Sequence, residues 1–289
     1  MSAFLAKITA FFTSVSLFIA YFFGFAAVGV SDDYEYTGGD RLVVADALRA
    51  GQGICFDGEY FYTSGSITAL GITSIAKWDK NMRRVKTLDR AVPRELSENC
   101  GINHIGGIDT DGKYIYAPAE GKPYEHDFIL LYDCKTLEYT GICYEISDES
   151  LTDGLPWCAV DAENGLLYTS RYGNAEKILI YSLDGMVPAG ELLLSEPLDR
   201  IQGGSVYCGK LWISCDNPHS VDEPVYTVNI SDGEVKLEMT RYNSNYDNEA
   251  EDIFVYPFDD GSTVHVLDYD KLLGMNIRHY KEKKTDTRV

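Results

Sequence analysis

Apolar and polar residues alternate along most of the chain in short runs that are typical of β-strands. The clearest example is the stretch 103–118, NHIGGIDTDGKYIYAP, in which a strand of small residues leads through an Asp-Gly turn into an aromatic-rich strand. Related stretches recur around positions 54, 108, 160, 205 and 253, so that neighbouring copies lie 45 to 54 residues apart. This spacing indicates an internally repeated β-structure.

Four of the five copies are followed by a second pair of alternating runs, as in 129–146, ILLYDCKTLEYTGICYEI. Two hairpins in each repeat of about 40–50 residues are the signature of a propeller blade. The sequence therefore predicts an all-β propeller over residues 41–280, with five blades favoured and six as the alternative. The fifth copy is one strand short, and we expect residues 41–48 (RLVVADAL) to supply that strand and close the ring.

The predicted inner strands carry small residues at matching positions, such as Gly53, Ala159 and Gly203. Inner strands converge on the propeller axis, where little room is left for side chains, so packing explains these residues. The fifth copy departs from the pattern because it places Glu251 and Asp252 there. A slip of one or two residues in the alignment is the alternative, with the acids in solvent.

Glu249 lies two residues before this acidic pair, so three carboxylates fall close together near the predicted axis. Crowded carboxylates repel one another unless a cation lies between them, and Ca²⁺ is bound by oxygens of this kind. Glu249, Glu251 and Asp252 are therefore a candidate Ca²⁺ site.

The N-terminal segment differs from the rest of the chain, since residues 8–30 carry no charge and follow Lys7. A helix of this length could cross a bilayer, and the acidic residues after it favour an extracytoplasmic body. Small residues at 24–29 also suit cleavage by signal peptidase. We therefore predict a signal peptide or signal-anchor helix at 1–30, an acidic linker at 31–40 and a charged tail at 281–289. The body would be secreted or held at the cell membrane.

The charge balance excludes one class of partner. The chain has 25 Lys and Arg against 45 Asp and Glu, a formal net charge of −20. An acidic surface of this size repels phosphate backbones, so no nucleic-acid partner is expected. The seven cysteines fit no zinc or redox spacing, and the sequence has no G-x-S-x-G, H-E-x-x-H, P-loop or EF-hand pattern. No complete catalytic set can be read from it.

Loops on one face of the predicted propeller carry the candidate ligand-binding residues. The loops that lead into inner strands, and those between second and third strands, share this face, and they mix charged, amide and aromatic side chains typical of polar-ligand pockets. The candidates are Gln52, His104, Trp157, Arg171, Arg200, Gln202 and Asp216.

Several of these candidates have a structural alternative. His104 could act as a general base or ligand, or could bond a neighbouring carbonyl. The two arginines could clamp an anion or pair with acids. Trp157 could stack on a sugar or cap the core.

The phrases HIGGIDTDGKYIYAP, LLYDCKTLEYTG, and RIQGG followed by GKLWIS resemble those of the YVTN-, NHL- and gluconolactonase-like propeller superfamily, and of exported bacterial propellers in particular. The resemblance covers residues 41–280. It implies that a ligand would bind at the mouth of the central channel.

The superfamily contains non-catalytic scaffolds and metal-dependent lactonases, so the resemblance leaves two functions open. The first is an extracytoplasmic scaffold that binds a protein, peptide or glycan. The second is a metal-assisted hydrolase or lyase, with His104 and the three acidic residues near a cation.

Overall fold

Five antiparallel sheets, arranged as the blades of a β-propeller, make up the fold in a computed structural model of the chain. The structure describes residues 29–31, 33–42, 49–217, 222–242, 249–270 and 274–283. Both the predicted all-β class and the favoured number of blades are confirmed.

The described chain contains 22 strands, one short α-helix and a single turn of 3₁₀ helix at Thr68–Leu70. The helix is α1 (Arg94–Cys100), which links the first two blades. In chain order the strands are β1 (Gly29–Val30), β2 (Tyr34–Leu42), β3 (Gly53–Phe56), β4 (Phe61–Ile67), β5 (Ile72–Trp78), β6 (Arg84–Asp89), β7 (His104–Ile105), β8 (Asp109–Thr110), β9 (Tyr114–Glu120), β10 (Asp127–Asp133), β11 (Tyr139–Ile146), β12 (Ala159–Asp161), β13 (Leu166–Thr169), β14 (Ala175–Ser182), β15 (Pro188–Leu198), β16 (Ile201–Tyr207), β17 (Lys210–Cys215), β18 (Asp222–Asn229), β19 (Val235–Tyr242), β20 (Glu249–Val255), β21 (Val264–Asp270) and β22 (Gly274–Glu282).

Each blade is a meander whose first strand lies nearest the axis. Blade 1 consists of β3–β6, blade 2 of β7–β11, blade 3 of β12–β15 and blade 4 of β16–β19 with β1 at its outer edge. Blade 5 consists of β20–β22 and takes β2 as its outer strand. The inner strand of blade 2 is split, because β7 and β8 pair separately with β9 on either side of Gly106 and Gly107.

The ring is closed by a strand from the N-terminal part of the chain, as the sequence predicted, but this strand begins at Tyr34 and shares only Arg41 and Leu42 with the predicted stretch 41–48. β2 pairs antiparallel with β22, from Tyr34 opposite Glu282 to Leu42 opposite Met275. Residues 34–40, predicted as an acidic linker, are thus part of blade 5, whereas 43–48 lie outside the described residues. The strand has no sustained apolar run, because an outermost strand faces water along much of its length.

The predicted N-terminal helix lies almost entirely outside the described residues. Gly29 and Val30, its last two positions, form β1 and pair with Tyr242 and Arg241 of β19. A helix therefore does not extend to residue 30. Within the described part of the chain, no helix has the length and apolar character needed to span a membrane.

The hydrophobic core is divided into clusters, several of which lie between neighbouring blades. Tyr62 and Ile75 of blade 1, for example, share a cluster with Ile105 and Leu130 of blade 2. None of the seven cysteines is paired in a disulfide, and Cys55, Cys134, Cys158 and Cys215 are buried among these apolar side chains. This packing fixes the inner strands around the axis and thereby positions the carboxylates that these strands carry.

Candidate functional site

Asp252 lies at the axis, where its carboxylate joins three blades. Oδ2 accepts hydrogen bonds from the backbone N–H of Ile54 in blade 1, at 2.9 Å, and of Ile108 in blade 2, at 3.0 Å. Oδ1 accepts from the N–H of Ile253 at 2.8 Å. Burial raises the pKa of Asp252 well above its ordinary value, although these backbone donors oppose the shift. The side chain is therefore a structural acceptor.

Glycines make room for this carboxylate. A Cβ atom on Gly203 would lie 1.9 Å from Oδ1 of Asp252, and one on Gly107 would lie 3.1 Å from its Cγ. Both positions must therefore stay small so that the acid can reach the neighbouring strands. The small residues and the acidic exception, separate observations in the sequence, belong to one packing arrangement.

Asp109 makes a similar link farther along the ring. Its Oδ2 accepts from the N–H of Val160 in blade 3 at 2.7 Å, and Oδ1 accepts from the N–H of Thr110 at 2.8 Å. Burial is the largest cause that raises the pKa of Asp109, to about 7. The carboxylates of Asp252 and Asp109 thus bridge several neighbouring inner strands.

A cavity of about 590 Å³ opens at the predicted mouth of the channel. Apart from Glu120, the last residue of β9, its lining residues belong to inner strands, the segments leading into them, or loops between second and third strands of the blades. The prediction that these loops share a face is therefore confirmed by their positions. We call this space the mouth cavity; it is lined by Gln52, Thr68, Ala69, Asn103, His104, Glu120, Gly121, Lys122, Tyr124, Asp153, Pro156, Tyr172, Gln202, Glu249 and Glu251.

A row of polar side chains crosses the mouth cavity from blade 2 through blade 1 to blade 5. Nδ1 of His104 lies 3.2 Å from Oε1 of Glu120, and Nε2 of His104 makes a short contact with Oε1 of Gln52. Nε2 of Gln52 in turn lies 3.5 Å from Oε1 of Glu251. Gln52 thus presents an oxygen to one ring nitrogen of His104, and Glu120 presents a carboxylate to the other.

Glu251 is the most deeply buried carboxylate of this row. It is 2% exposed, and burial raises its pKa well above the ordinary value, with further increases from the charges of Glu249 and Asp216. Among the described residues no basic side chain forms an ion pair with it. Glu251 therefore combines a cavity position with an environment that disfavours its charge.

Glu120 and Asp153 give the opposite wall of the cavity a fixed geometry. Oε2 of Glu120 accepts from the N–H of Leu155 at 2.5 Å, in addition to the contact with His104. Asp153 accepts from the N–H groups of Tyr172 and Gly173 at 3.1 and 3.0 Å. These bonds hold both carboxylates in place at the cavity wall.

The two predicted arginines are not among the lining residues of the cavity and instead pair with acids. Nη2 of Arg171 donates to Oδ2 of Asp153 at 3.2 Å, and Nε of Arg200 donates to Oδ2 of Asp216 at 3.1 Å. The guanidinium of Arg200 also lies 5.0 Å from the ring centroid of Tyr172. The acid-pairing alternative for these arginines is thus the one that the structure shows.

Trp157 is fully buried and does not line the mouth cavity. Its Nε1 donates to Oγ of Ser170 at 3.1 Å, and its ring fills the space that a Cβ atom of Gly204 would need. The core alternative for this residue is therefore the one that the structure shows.

The three acids proposed for calcium do not act together. Glu249 and Glu251 line the mouth cavity, whereas Asp252 is turned toward the inner strands. Across the described residues, no three His, Cys, Asp or Glu side chains are placed to hold one metal ion. Calcium binding by the remaining pair stays a prediction.

Several lining residues were not predicted from the sequence. Tyr124 and Tyr172 contribute aromatic surface, Asn103 and Asp153 contribute polar groups, and Lys122 contributes the single ammonium group of the lining. These residues lie in irregular loops, where no strand periodicity shows which side chains face inward. Asn103, Lys122, Tyr124 and Tyr172 adjoin Pro123 or a predicted candidate in the sequence, whereas Asp153 adjoins neither.

Comparison with known proteins shows the fold alone. No protein-family model matches the chain, and no curated protein matches it. A chain in the solved Nidogen/Laminin complex is similar, with a TM-score of 0.50 and 15% identity over 75% of this chain and 72% of that chain. A chain of Kuenenia stuttgartiensis hydrazine synthase is also similar, with a TM-score of 0.43 and 16% identity over 81% and 59% of the two chains. The first likeness supports a β-propeller.

Proposed function

We propose that this protein is an extracytoplasmic binding scaffold whose partner docks at the mouth cavity. The row Glu120–His104–Gln52–Glu251 carries the proposal, because it brings polar side chains from three blades to one concave surface. A rigid ring that presents such groups from separate loops suits recognition of a polar ligand. The proposal requires no chemical step.

The charge of the lining points to a basic partner. Lys122 and His104 are the basic side chains of the lining, against four carboxylates: Glu120, Asp153, Glu249 and Glu251. A Lys or Arg side chain entering the cavity would give buried Glu251 a cationic partner that the described residues do not provide. We therefore favour a protein or peptide segment with Lys or Arg, and regard a neutral glycan as the competing ligand.

The similarity to a chain in the Nidogen/Laminin complex supports a binding role, because that propeller-like chain was solved in a protein–protein assembly. Propellers serve both as scaffolds and as enzymes. The similarity therefore supports only the statement that this architecture is suited to binding a partner. The choice of a basic ligand rests on the charged lining of this cavity.

Peptide and glycan arrays test the proposal directly. The full-length chain, purified in mild detergent, should bind arrayed peptides rich in Lys and Arg. Ala69→Trp places a bulky ring at an exposed position of the cavity rim and should abolish this binding while leaving the melting temperature unchanged.

Glu163→Gln is the matched control, because it removes an acid from an exposed turn of blade 3. It should bind the array as the natural protein does. If the Ala69→Trp variant bound the peptides as well as the natural protein does, the proposed site would be contradicted. If the protein bound glycans alone, the proposed ligand would be contradicted.

Extracytoplasmic placement is tested separately. Alkaline phosphatase fused after Lys283 is active only outside the cytoplasm, so colonies that express the fusion should show activity. Deletion of residues 1–28 should remove it. An inactive fusion with the full N-terminal segment would contradict this part of the proposal.

A further inference from the structure

A second cavity lies on the face opposite the mouth cavity, at the boundary between blades 5 and 1. Its volume is about 460 Å³. Its lining comes from β2 and β22, from the end of β3 and the start of β4, from the β5–β6 turn and from the β20–β21 loop. The hairpin ends and turns among these lie at the other ends of the strands from the mouth loops. We call it the second cavity; it is lined by Gly39, Asp40, Phe56, Phe61, Lys80, Tyr256, Pro257, Phe258, Asp259, Asp260 and His279.

Aromatic rings dominate one side of the second cavity. The ring of Phe56 lies 4.9 Å from that of Tyr256 and 5.5 Å from that of Phe258, in both cases nearly perpendicular. Phe61 lies 4.5 Å from Phe56 on the same side. Edge-to-face packing of this kind turns ring faces in several directions, and such faces attract cations.

An unusually long loop brings two of these rings to the cavity. The β20–β21 loop spans 256–263, whereas the matching loops of the other blades span 57–60, 111–113, 162–165 and 208–209. It is internally bonded, since the N–H of Tyr256 donates to the carbonyl of Thr263 at 2.9 Å. Shorter turns close the other four hairpins, so closing a hairpin does not account for the extra length.

One basic side chain already shows how a cation can lie here. Nζ of Lys80 is 5.7 Å from the ring centroid of Phe56, within cation–π range. Lys80 is exposed and extends from a turn, so a ligand with stronger affinity for the ring could displace it. The face of Phe56 toward the cavity is therefore accessible to positive charge.

Carboxylates complete the cavity. Ser262 donates to Oδ1 of Asp260 from both its hydroxyl and its N–H, and these bonds lower the pKa of Asp260, which therefore stays ionised. Asp259 is exposed beside it, and Oδ2 of Asp40 lies 3.3 Å from Nε2 of His279. Three acids against Lys80 and one histidine disfavour an anion.

We infer that the second cavity binds a quaternary ammonium group. Weakly hydrated alkylammonium ions suit aromatic faces, whereas a primary ammonium is strongly hydrated and gains less there. The aromatic side would hold the methyl groups, and the carboxylates would balance the charge. This site is independent of the mouth cavity and of the partner proposed for it.

Titration calorimetry with choline tests the inference, with 3,3-dimethylbutan-1-ol as a neutral ligand of the same shape. We expect choline to bind about tenfold more tightly, as a partly desolvated cation–π contact implies. Tyr256→Leu keeps an apolar side chain without the π face and should weaken choline binding about fivefold. Lys80→Met removes the competing cation and should strengthen it.

Ala69→Trp is the control for location, and it should leave choline binding unchanged. Equal affinity for choline and its neutral counterpart would overturn the inference in favour of an apolar groove. Lack of choline binding, or binding that Tyr256→Leu leaves unaltered in a variant with normal unfolding, would overturn the site itself. A trimethyllysine peptide added in a second arm would show whether the ammonium belongs to a free molecule or to a protein side chain.

Discussion

Glu251 and Asp252 are neighbours in the chain, both are buried, and burial raises the pKa of both, yet they lie in different environments. Asp252 accepts three backbone hydrogen bonds and connects blade 5 to blades 1 and 2. Glu251 faces the mouth cavity and contacts one side-chain amide at 3.5 Å. Strands alternate their side chains, so one position separates a structural acid from a ligand-facing one.

This comparison shows that burial and a shifted pKa do not by themselves identify a functional acid. The type of partner distinguishes the two residues. A carboxylate that accepts backbone N–H groups is needed by the fold, whereas one that faces a cavity with a single weak contact is available to a ligand. If the type of partner separates the two acids, substitution of Asp252 should mainly reduce stability, and substitution of Glu251 should mainly change the pH dependence of stability.

Asp252→Ala should lower the free energy of unfolding by about 3–4 kcal/mol, since it leaves the buried N–H groups of Ile54 and Ile108 without an acceptor. Urea denaturation measures this loss. Glu251→Ala is the matched variant and should cost less than about 1 kcal/mol, because water in the cavity can take its place. Equal losses of unfolding free energy in the two variants would show that Glu251 is as important for the fold as Asp252.

Gly203→Ala should cost about 2–3 kcal/mol, because the added Cβ would lie 1.9 Å from Oδ1 of Asp252 and 2.5 Å from its Cα. The double variant with Asp252→Ala relieves part of this clash. Its free energy of unfolding should therefore exceed the value expected from adding the two single effects. Strict additivity would show that the glycine and the acid are not packed as described.

Glu251→Gln should change the pH dependence of stability. Because its pKa is raised, Glu251 keeps its proton in the folded protein at pH values where the unfolded chain has released it. The protonated Glu251 therefore contributes its full stability below the unfolded pKa, and this contribution is lost as the pH rises. The variant lacks this loss, and should match the natural protein near pH 4 and exceed its stability by about 1 kcal/mol at pH 8.

Urea denaturation at the two pH values measures this effect. Asp252→Asn provides the contrast, because an amide nitrogen cannot accept from backbone N–H groups and should destabilise the fold at both values. Parallel curves for the natural protein and Glu251→Gln would contradict the assigned environment.

Gln52→Ala should have the smallest effect on stability, about 0.5 kcal/mol, since Gln52 is half-buried and borders a cavity that admits water. It should nevertheless weaken binding of basic peptides about fivefold, because it breaks the row between His104 and Glu251. Thermal unfolding and peptide titration measure the two effects. If the variant lost stability but kept its affinity for basic peptides, Gln52 would have a structural role, as Asp252 does, and no role in binding.

The repeat pattern was sufficient to predict the fold, because each blade buries its strands on neighbours and keeps a two-residue alternation. The closing strand was misplaced by several residues, since Tyr34–Leu42 has few buried positions to mark it. The unusual character of Glu251 and Asp252 was visible in the sequence. Their roles were not, because a one-residue uncertainty in register exchanges the two faces of a strand.

The mouth cavity could be predicted only in part. Gln52, His104 and Gln202 lie at the starts of inner strands, so the repeats fix their position. Tyr124, Asp153 and Tyr172 depend on loop conformations that no repeat determines. Trp157 was placed correctly along the chain, but its side chain points into the core because Gly204 leaves space for the ring.

The pairing of β2 with β22 has a consequence for the order of folding. Tyr34 and Glu282 are opposite each other although almost the whole chain separates them. During synthesis β2 emerges before β3–β21 and its partner β22 emerges after them, so blade 5 cannot be completed until the rest of the propeller exists. Closing so long a loop is entropically costly, and contacts of such sequence separation form slowly. Although β2 is made before four complete blades, it is therefore among the last strands to be fixed, and completion of the ring is a late step of folding.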